Sequence, residues 1–378
     1  MCSAAQKYVL SAIASIMWLT LAACTASPTA EGIVTADQDF KAGPSPTELI
    51  AADSDLKVAF IGDSGDGAEF EAVLRLIKNE GAELVLHQGD FDYAFDADGF
   101  FAKIDQILGP NFPYLASVGN HDIASWNTGC GDPDGCYAQF LKDRMARIGI
   151  EPDGPDLNDQ MYSVTYRGLK MVFVGQERWA GDTIYPRYIH SQLAADSHTW
   201  RICSWHKNQK AMQIGGKHDE IGWAVYEVCR INAAIVATGH EHSYARTKTL
   251  TSMQNQAVDT AQHPPLDGVP GDPDRLLVAP GRSFVFVSGL GGTGMRRQER
   301  CMPTTYPYGG GPGCNHIWAK KYSTDQTGGV ERFGALFITF NYNGDPTKAR
   351  GYFKTSDGQI IDEFDITAGD TSIATTLK

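Results

Sequence analysis

Five short apolar runs each end in a turn that carries a metal-binding side chain, and this recurrence constrains the fold more than anything else in the chain. The turns are GDSG (Gly62 to Gly65), GDFDY (Gly89 to Tyr93), GNHD (Gly119 to Asp122), SWH (Ser204 to His206) and GHEH (Gly239 to His242). Any one alone is ordinary turn chemistry, because Gly-Asp and Gly-Asn pairs favour tight loops. Together they place Asp63, Asp90, Tyr93, Asn120, His206, His240 and His242 after strands. Chemistry at the carboxyl ends of strands is the arrangement of layered α/β sheets.

The spacing between the blocks supports that architecture. Lys57 to Ile61 reads as a strand and Ala68 to Asn79 as a helix, with apolar positions Phe70, Val73, Leu74 and Ile77. Gly81 stops the helix, Leu84 to Leu86 is the next strand, Phe100 to Leu108 a second helix, and Tyr114 to Val118 a third strand. The unit returns with strands Arg201 to Trp205 and Ala233 to Ala237, separated by a helix over Glu220 to Arg230. Later segments read as strands: Phe284 to Ser288, Phe333 to Phe340, Ala349 to Phe353 and Ile360 to Ile366. Turns at Asn343 to Asp345 and Ser356 to Gly358 mark hairpins among them. These later strands are expected to form a second, mostly antiparallel sheet. The fold class is therefore α/β, a four-layer α-β-β-α sandwich of two mixed sheets flanked by helices.

The first residues read as an address. Lys7 precedes an apolar run from Tyr8 to Ala22 that is too short to span a bilayer comfortably and ends in Leu21-Ala22-Ala23-Cys24. This ending resembles the lipobox of bacterial lipoproteins, which implies cleavage before Cys24 and lipidation of its thiol. Residues 1–23 are then a signal peptide, 24–54 a flexible tether, 55–367 the catalytic domain and 368–378 a tail. An exported, lipid-anchored protein is expected, on the outer membrane facing the periplasm or at the cell surface. Cysteine usage agrees with an oxidising compartment. Apart from Cys2 and Cys24 there are six, and nearest-neighbour pairing joins Cys130 with Cys136, Cys203 with Cys229 and Cys301 with Cys314.

The turn side chains are the inventory of a two-metal phosphoryl-transfer site. Phosphoryl oxygens repel a nucleophile, and two ions roughly 3.5–4 Å apart neutralise that repulsion and acidify water. The formal charge of −13 opposes sequence-independent binding to a nucleic acid backbone. A small phosphate ester must instead be drawn in by local positive charge.

At this point the chain resembles the calcineurin-like metallophosphoesterase superfamily, and within it the purple acid phosphatases. The general superfamily pattern begins DxH, but Gly65 stands where that histidine would be. Purple acid phosphatases have GDxG in the first block and GDxxY in the second, and Gly65 and Tyr93 match both. GDFDYA at 89 to 94 and GHEHSYAR at 239 to 246 also resemble the wording of plant-type members. The resemblance implies that Asp63, Tyr93 and His242 bind a ferric iron, that Asp90 bridges, and that Asn120, His206 and His240 hold ferrous iron, zinc or manganese. It further implies that His121 protonates the leaving alkoxide and that Asp122 orients its imidazole. Asp122 stands where the family often has glutamate.

The expected activity is phosphomonoester hydrolysis of the acid phosphatase type, by a metal-bound hydroxide. A phosphodiesterase or nucleotide phosphohydrolase of the same superfamily is the enzymatic alternative, and a metal- or phosphate-binding lipoprotein the non-enzymatic one. The remaining histidines, His87, His190, His198, His218, His263 and His316, read as structural or surface residues. The loop Gly291 to Arg332 holds cations, Arg296, Arg297, Arg300 and Lys320, in a place where substrate recognition is open to them. Thr247 to Arg282 is a long polar insertion with two readings, a lid or a mobile surface. Oligomeric state is not legible.

Overall fold

In the computed structural model of the protein, the described residues are 53–130, 135–157, 160–175, 183–261, 271–301 and 317–369. Cys24, the residues flanking it, His263, Cys314 and His316 lie outside them. The chain opens with β1 (Leu56–Ile61), α1 (Ala68–Asn79), β2 (Leu84–His87), α2 (Ala97–Ile107) and β3 (Tyr114–Ala116). α1 forms where the apolar spacing predicts, burying Phe70, Val73, Leu74, Leu76 and Ile77 along one stripe. The Asp96 side chain caps α2 by accepting from Gly99 N at 2.8 Å. Helical crossovers make β1, β2 and β3 parallel neighbours.

Then follow α3 (Tyr137–Arg147), β4 (Asp153–Asp156), β5 (Met161–Tyr166), β6 (Leu169–Phe173), α4 (Ile184–Leu193), β7 (Trp200–Ser204), α5 (Trp223–Ile231) and β8 (Ala234–Thr238). The remainder is mostly strand: β9 (Tyr244–Thr247), β10 (Leu250–Ser252), β11 (Ala257–Val258), β12 (Arg275–Val278), β13 (Val285–Ser288), β14 (Trp318–Tyr322), β15 (Gly334–Phe340), β16 (Lys348–Thr355) and β17 (Ile360–Ala368). Among the described residues no helix is long and apolar enough to cross a membrane.

Two mixed sheets face each other, with helices outside. Their strand orders are β12-β17-β16-β15-β1-β2-β3 and β14-β9-β13-β8-β7-β6-β5-β4, and β10 with β11 makes a separate ribbon. The late strands do not form a sheet of their own, which corrects one expectation. β15 pairs antiparallel with β1 from Leu56↔Phe340 to Phe60↔Leu336 and extends the first sheet through the hairpins β15-β16 and β16-β17. β13 instead lies between β8 and β9 in the second sheet. The reason is that the crossover through α1 occupies one edge of β1 and leaves the other for a strand equally apolar on both faces. β15 is buried along its whole length.

The sheets interlock through large side chains. Phe60 and Phe286 meet edge to face at 5.1 Å, and Tyr244 stacks on Phe353 at 4.2 Å. Trp200 donates its indole N–H to Asn341 Oδ1 at 3.0 Å. β8 shows how both faces of a central strand are used: Ile235 and Ala237 join the core between the sheets, while Ala234 and Val236 join the core under α4 and α5. Disulfides connect Cys130 with Cys136 and Cys203 with Cys229, as nearest-neighbour pairing expects. Cys301 is also disulfide-bonded. The described part of the 247–282 insertion is neither lid nor loose surface, because β12 pairs parallel with β17 at the sheet edge.

Candidate metal centre

The ligand turns are built from backbone that most residues avoid. Asp63, Asp90, Tyr93 and His240 have φ of 56°, 58°, 60° and 68°, the left-handed region that Asp, Asn and His tolerate better than other side chains. The turns hold one another in place: Asp63 N donates to Gly89 O and Ser64 N to Asp90 O, both at 3.0 Å. Gly89 and Gly119 are required by contact, since a Cβ on Gly89 would lie 2.6 Å from Gly119 N and one on Gly119 2.1 Å from Asp90 N.

Side chains converge where the strands of both sheets end. On one side Asp63 Oδ1 lies 3.3 Å from His242 Nε2 and 3.4 Å from the Tyr93 hydroxyl, which is 3.3 Å from His242 Nε2. On the other, His206 Nε2 lies 3.2 Å from Asp90 Oδ2 and 3.1 Å from His240 Nδ1. The Tyr93 hydroxyl is also 3.3 Å from Asp90 Oδ2 and so joins the two groups. The donors of Asp90, His206 and His240 could hold a metal ion together, all within 4.8 Å of one another.

Hydrogen-bond bookkeeping shows that this arrangement fits cations. His206 Nδ1 donates to Gln88 O at 2.7 Å, so its Nε2 in the neutral ring is a bare lone pair aimed at a carboxylate. Two acceptors 3.2 Å apart require a proton or a metal between them. Burial disfavours charge on His206, but the Asp90 carboxylate outweighs it and pushes the imidazole up to about 9. A proton thus stands where an ion fits. His240 points Nε2 at Glu220 Oε2, 2.9 Å away in an ion-pair contact rather than an aligned hydrogen bond, leaving Nδ1 toward the centre. Burial pushes the His240 imidazole down to about 4, the neutral form that ligates. Asn120 Oδ1 is buried without a hydrogen-bond partner among the described residues, as an oxygen reserved for a cation would be. Burial and the Asp63 and Asp90 charges push the Tyr93 phenol far above its ordinary value, so only a hard, highly charged ion would displace its proton.

Asp122 departs from its expected role. Its Oδ2 accepts from Asp90 N and Gly119 N at 2.8 and 2.6 Å, and its Oδ1 accepts from Phe91 N at 2.7 Å. It fastens the second ligand turn to the third rather than orienting the His121 imidazole. His121 is exposed at the rim, anchored by its own N–H to Asp90 Oδ1 at 2.9 Å, and its ring lies 4.5 Å from that of Tyr93. Burial and the Asp90 charge push the Asp122 carboxyl up to about 8. The three amide donors argue for the ionised form, because a protonated acid would set its O–H against an N–H.

Glu220 was not singled out in the sequence. Against the cost of burial, His240 and Lys207 hold its carboxyl down at about 2, so it faces His240 as a carboxylate, the second partner that ligating imidazoles commonly have. It lies just before α5 (Trp223–Ile231), where nothing in the local sequence pattern separates it from a surface residue. His87 is structural, as expected: Gly89 N donates to its Nδ1 at 3.1 Å and its Nε2 meets the Ser64 hydroxyl at 3.0 Å. Tyr244 and Arg246 are buried and bind Asp362. Of the loop cations, Arg296 reaches the centre, with Nη2 3.4 Å from His242 Nε2, whereas Arg297 is exposed beside Asp325 and Arg300 donates to Gln213 O.

Comparison with known proteins bears on the fold and the family. Residues 56–244, half of the chain, match the family model described as calcineurin-like phosphoesterase. The solved structure of purple acid phosphatase PPD1 from yellow lupin (Lupinus luteus) seeds superposes with a TM-score of 0.58 at 19% identity. The match covers 88% of this chain and 56% of the lupin protein, so this chain spans little more than half of that length, and the likeness shows the fold alone. The structure of PhoD, at TM-score 0.47 and 12% identity over 85% of this chain and 70% of that one, is too distant to add to the argument. None of the curated proteins matches. By the family match over half of its length, a span that contains all five ligand turns, the chain belongs to the calcineurin-like phosphoesterase family.

Proposed function

We propose that the protein is a dinuclear-metal phosphomonoesterase of the acid phosphatase type, exported and anchored through a lipidated Cys24. The observation that carries this is the pair of donor groups, Asp63-Tyr93-His242 and Asp90-His206-His240, joined through the Tyr93 hydroxyl. Asp63, Tyr93 and His242 would hold a ferric ion, Asn120, His206 and His240 a ferrous, zinc or manganese ion, and Asp90 would bridge. Bound there, such ions supply Lewis acidity toward phosphoryl oxygens and lower the pKa of water.

The chain's own residues do the rest. Glu220 and Gln88 O fix the His240 and His206 rings, and Asp122 fixes the turn that carries Asp90. His121 would give a proton to the departing alkoxide, a role supported by its exposure beside Tyr93. A phosphate- or metal-binding protein would have no use for that acid.

The test is steady-state hydrolysis of an aryl phosphomonoester and the matching diester from acidic to alkaline pH, with metal content measured on protein purified without chelator. Monoester turnover with an acidic optimum is expected, together with a visible absorption band that Tyr93→Phe removes. Preference for the diester would move the protein to the phosphodiesterase branch, and bound metal without turnover of either would make it a binder. Cys24→Ser should release the protein from the membrane fraction.

A further inference from the structure

Arg296 is placed by its backbone as firmly as the ligands are. The loop after β13 is pinned to the first ligand turn, with Gly291 N donating to Gly62 O at 2.9 Å and Thr293 N to Asp63 O at 3.0 Å. A Cβ on Gly292 would lie 2.3 Å from Ser64 O, so the two segments are in direct contact. Arg296 N itself donates to His242 O at 2.9 Å, and Met295 N to Glu331 Oε1 at 3.1 Å.

The guanidinium, by contrast, is poorly satisfied. Its Nη2 lies 3.4 Å from His242 Nε2, its Nη1 3.5 Å from His240 O and 3.9 Å from Glu241 Oε2. Among the described residues it makes no shorter contact, although it has five N–H donors and no acceptor. Arg246 shows the alternative in the same fold, with Asp362 held at 2.7 and 2.9 Å by two of its nitrogens. An ion on His242 Nε2 would remove the best acceptor Arg296 has and leave two positive groups facing each other. An anion between them resolves the conflict.

Resting on the phosphomonoesterase reading above, we infer that Arg296 binds a terminal phosphoryl oxygen and thereby selects phosphomonoesters over phosphodiesters. A monoester has three terminal oxygens and, at neutral pH, two negative charges. A diester has two such oxygens and one charge. If two oxygens face the metal centre, only the monoester retains a third for the guanidinium, whose fork suits a phosphoryl group.

The experiment compares wild type, Arg296→Met and Arg296→Lys, each checked for metal content. It reads kcat/KM for an aryl phosphomonoester and the matching diester, and the calorimetric affinity for inorganic phosphate. Arg296→Met should lower monoester kcat/KM roughly 10- to 100-fold and weaken phosphate by a similar factor, with the diester changed less than about threefold. Arg296→Lys should recover part of the loss. Equal losses on both substrates with metals retained, or unchanged phosphate affinity, would overturn the inference. If Arg296→Met loses metal, Arg296→Lys carries the same comparison. If wild type hydrolyses neither ester, the functional reading fails, while phosphate affinity still judges the Arg296 site.

Discussion

Asp122→Asn separates the role expected from sequence from the role found in the structure. The substitution preserves shape and replaces one carboxylate oxygen by an amide NH2. Its best orientation keeps the remaining oxygen toward Asp90 N and Gly119 N and turns NH2 toward Phe91 N, where two donors would meet at the present 2.7 Å. An unsatisfied buried N–H costs about 1–3 kcal/mol, and loss of charge weakens each of the other two bonds by about 0.5–1 kcal/mol. The sum is roughly 2–5 kcal/mol, and at about 2 °C per kcal/mol for a domain this large the melting temperature should fall roughly 4–10 °C. Because the loosened turn carries Asp90, metal affinity should drop on the order of 10- to 100-fold. The assay is thermal and urea unfolding of both proteins, with and without added metal, alongside metal titration. A variant with unchanged stability and metal affinity but reduced kcat would show that Asp122 acts on His121 after all. A variant indistinguishable in every respect would show that the native carboxyl is already protonated.

Other outcomes follow from separate parts of the fold. Burial pushes the His87 imidazole down to about 3, so the unfolded chain takes up its proton first. The stability this contributes is present above about 6.5 and is lost as pH falls toward about 3; His87→Gln should flatten unfolding free energy over that window, and an unchanged slope would refute the assignment. Removing the Cys203–Cys229 link, which closes a separation of 26 residues, should cost about 3.5 kcal/mol against about 2 kcal/mol for Cys130–Cys136 with its separation of 6, on the chain-entropy relation. Urea unfolding of the two double-serine variants would test the order. Asp362→Ala strands Arg246, which is fully buried, and should destabilise by about 3–5 kcal/mol, a loss that would be visible as a lower urea midpoint.

The ligand turns were readable because a strand end, its glycine and its donor are adjacent in sequence. Asp63, Asp90, His206 and His240 each follow the end of a strand by two or three positions, and α1 runs from Ala68 to Asn79 as its periodicity predicts. Properties that depend on distant pairing were not readable. Nothing local tells that β15 will take the free edge of β1, 276 positions away at the Phe60↔Leu336 pair (336 − 60), or that β13 will leave its sequence neighbours for β8. Asp122 shows the same limit at the scale of one side chain, since its partners Asp90 and Phe91 lie on another turn. α3 was overlooked for a different reason: Tyr137, Leu141 and Met145 have helical spacing, but charged residues between them dilute the apolar signal.

The left-handed backbone at Asp63, Asp90 and His240 restricts what those positions can become. At roughly 1–2 kcal/mol per residue, the strain is borne when the chain folds and not when an ion arrives. Asp, Asn and His are the side chains that tolerate such backbone, and all three are also metal ligands. Exchanging one for another there would alter charge and donor hardness while the turn keeps its shape. Tyr93 shares the conformation without belonging to that tolerant group, so it is the position at which retuning the ion would also disturb the backbone.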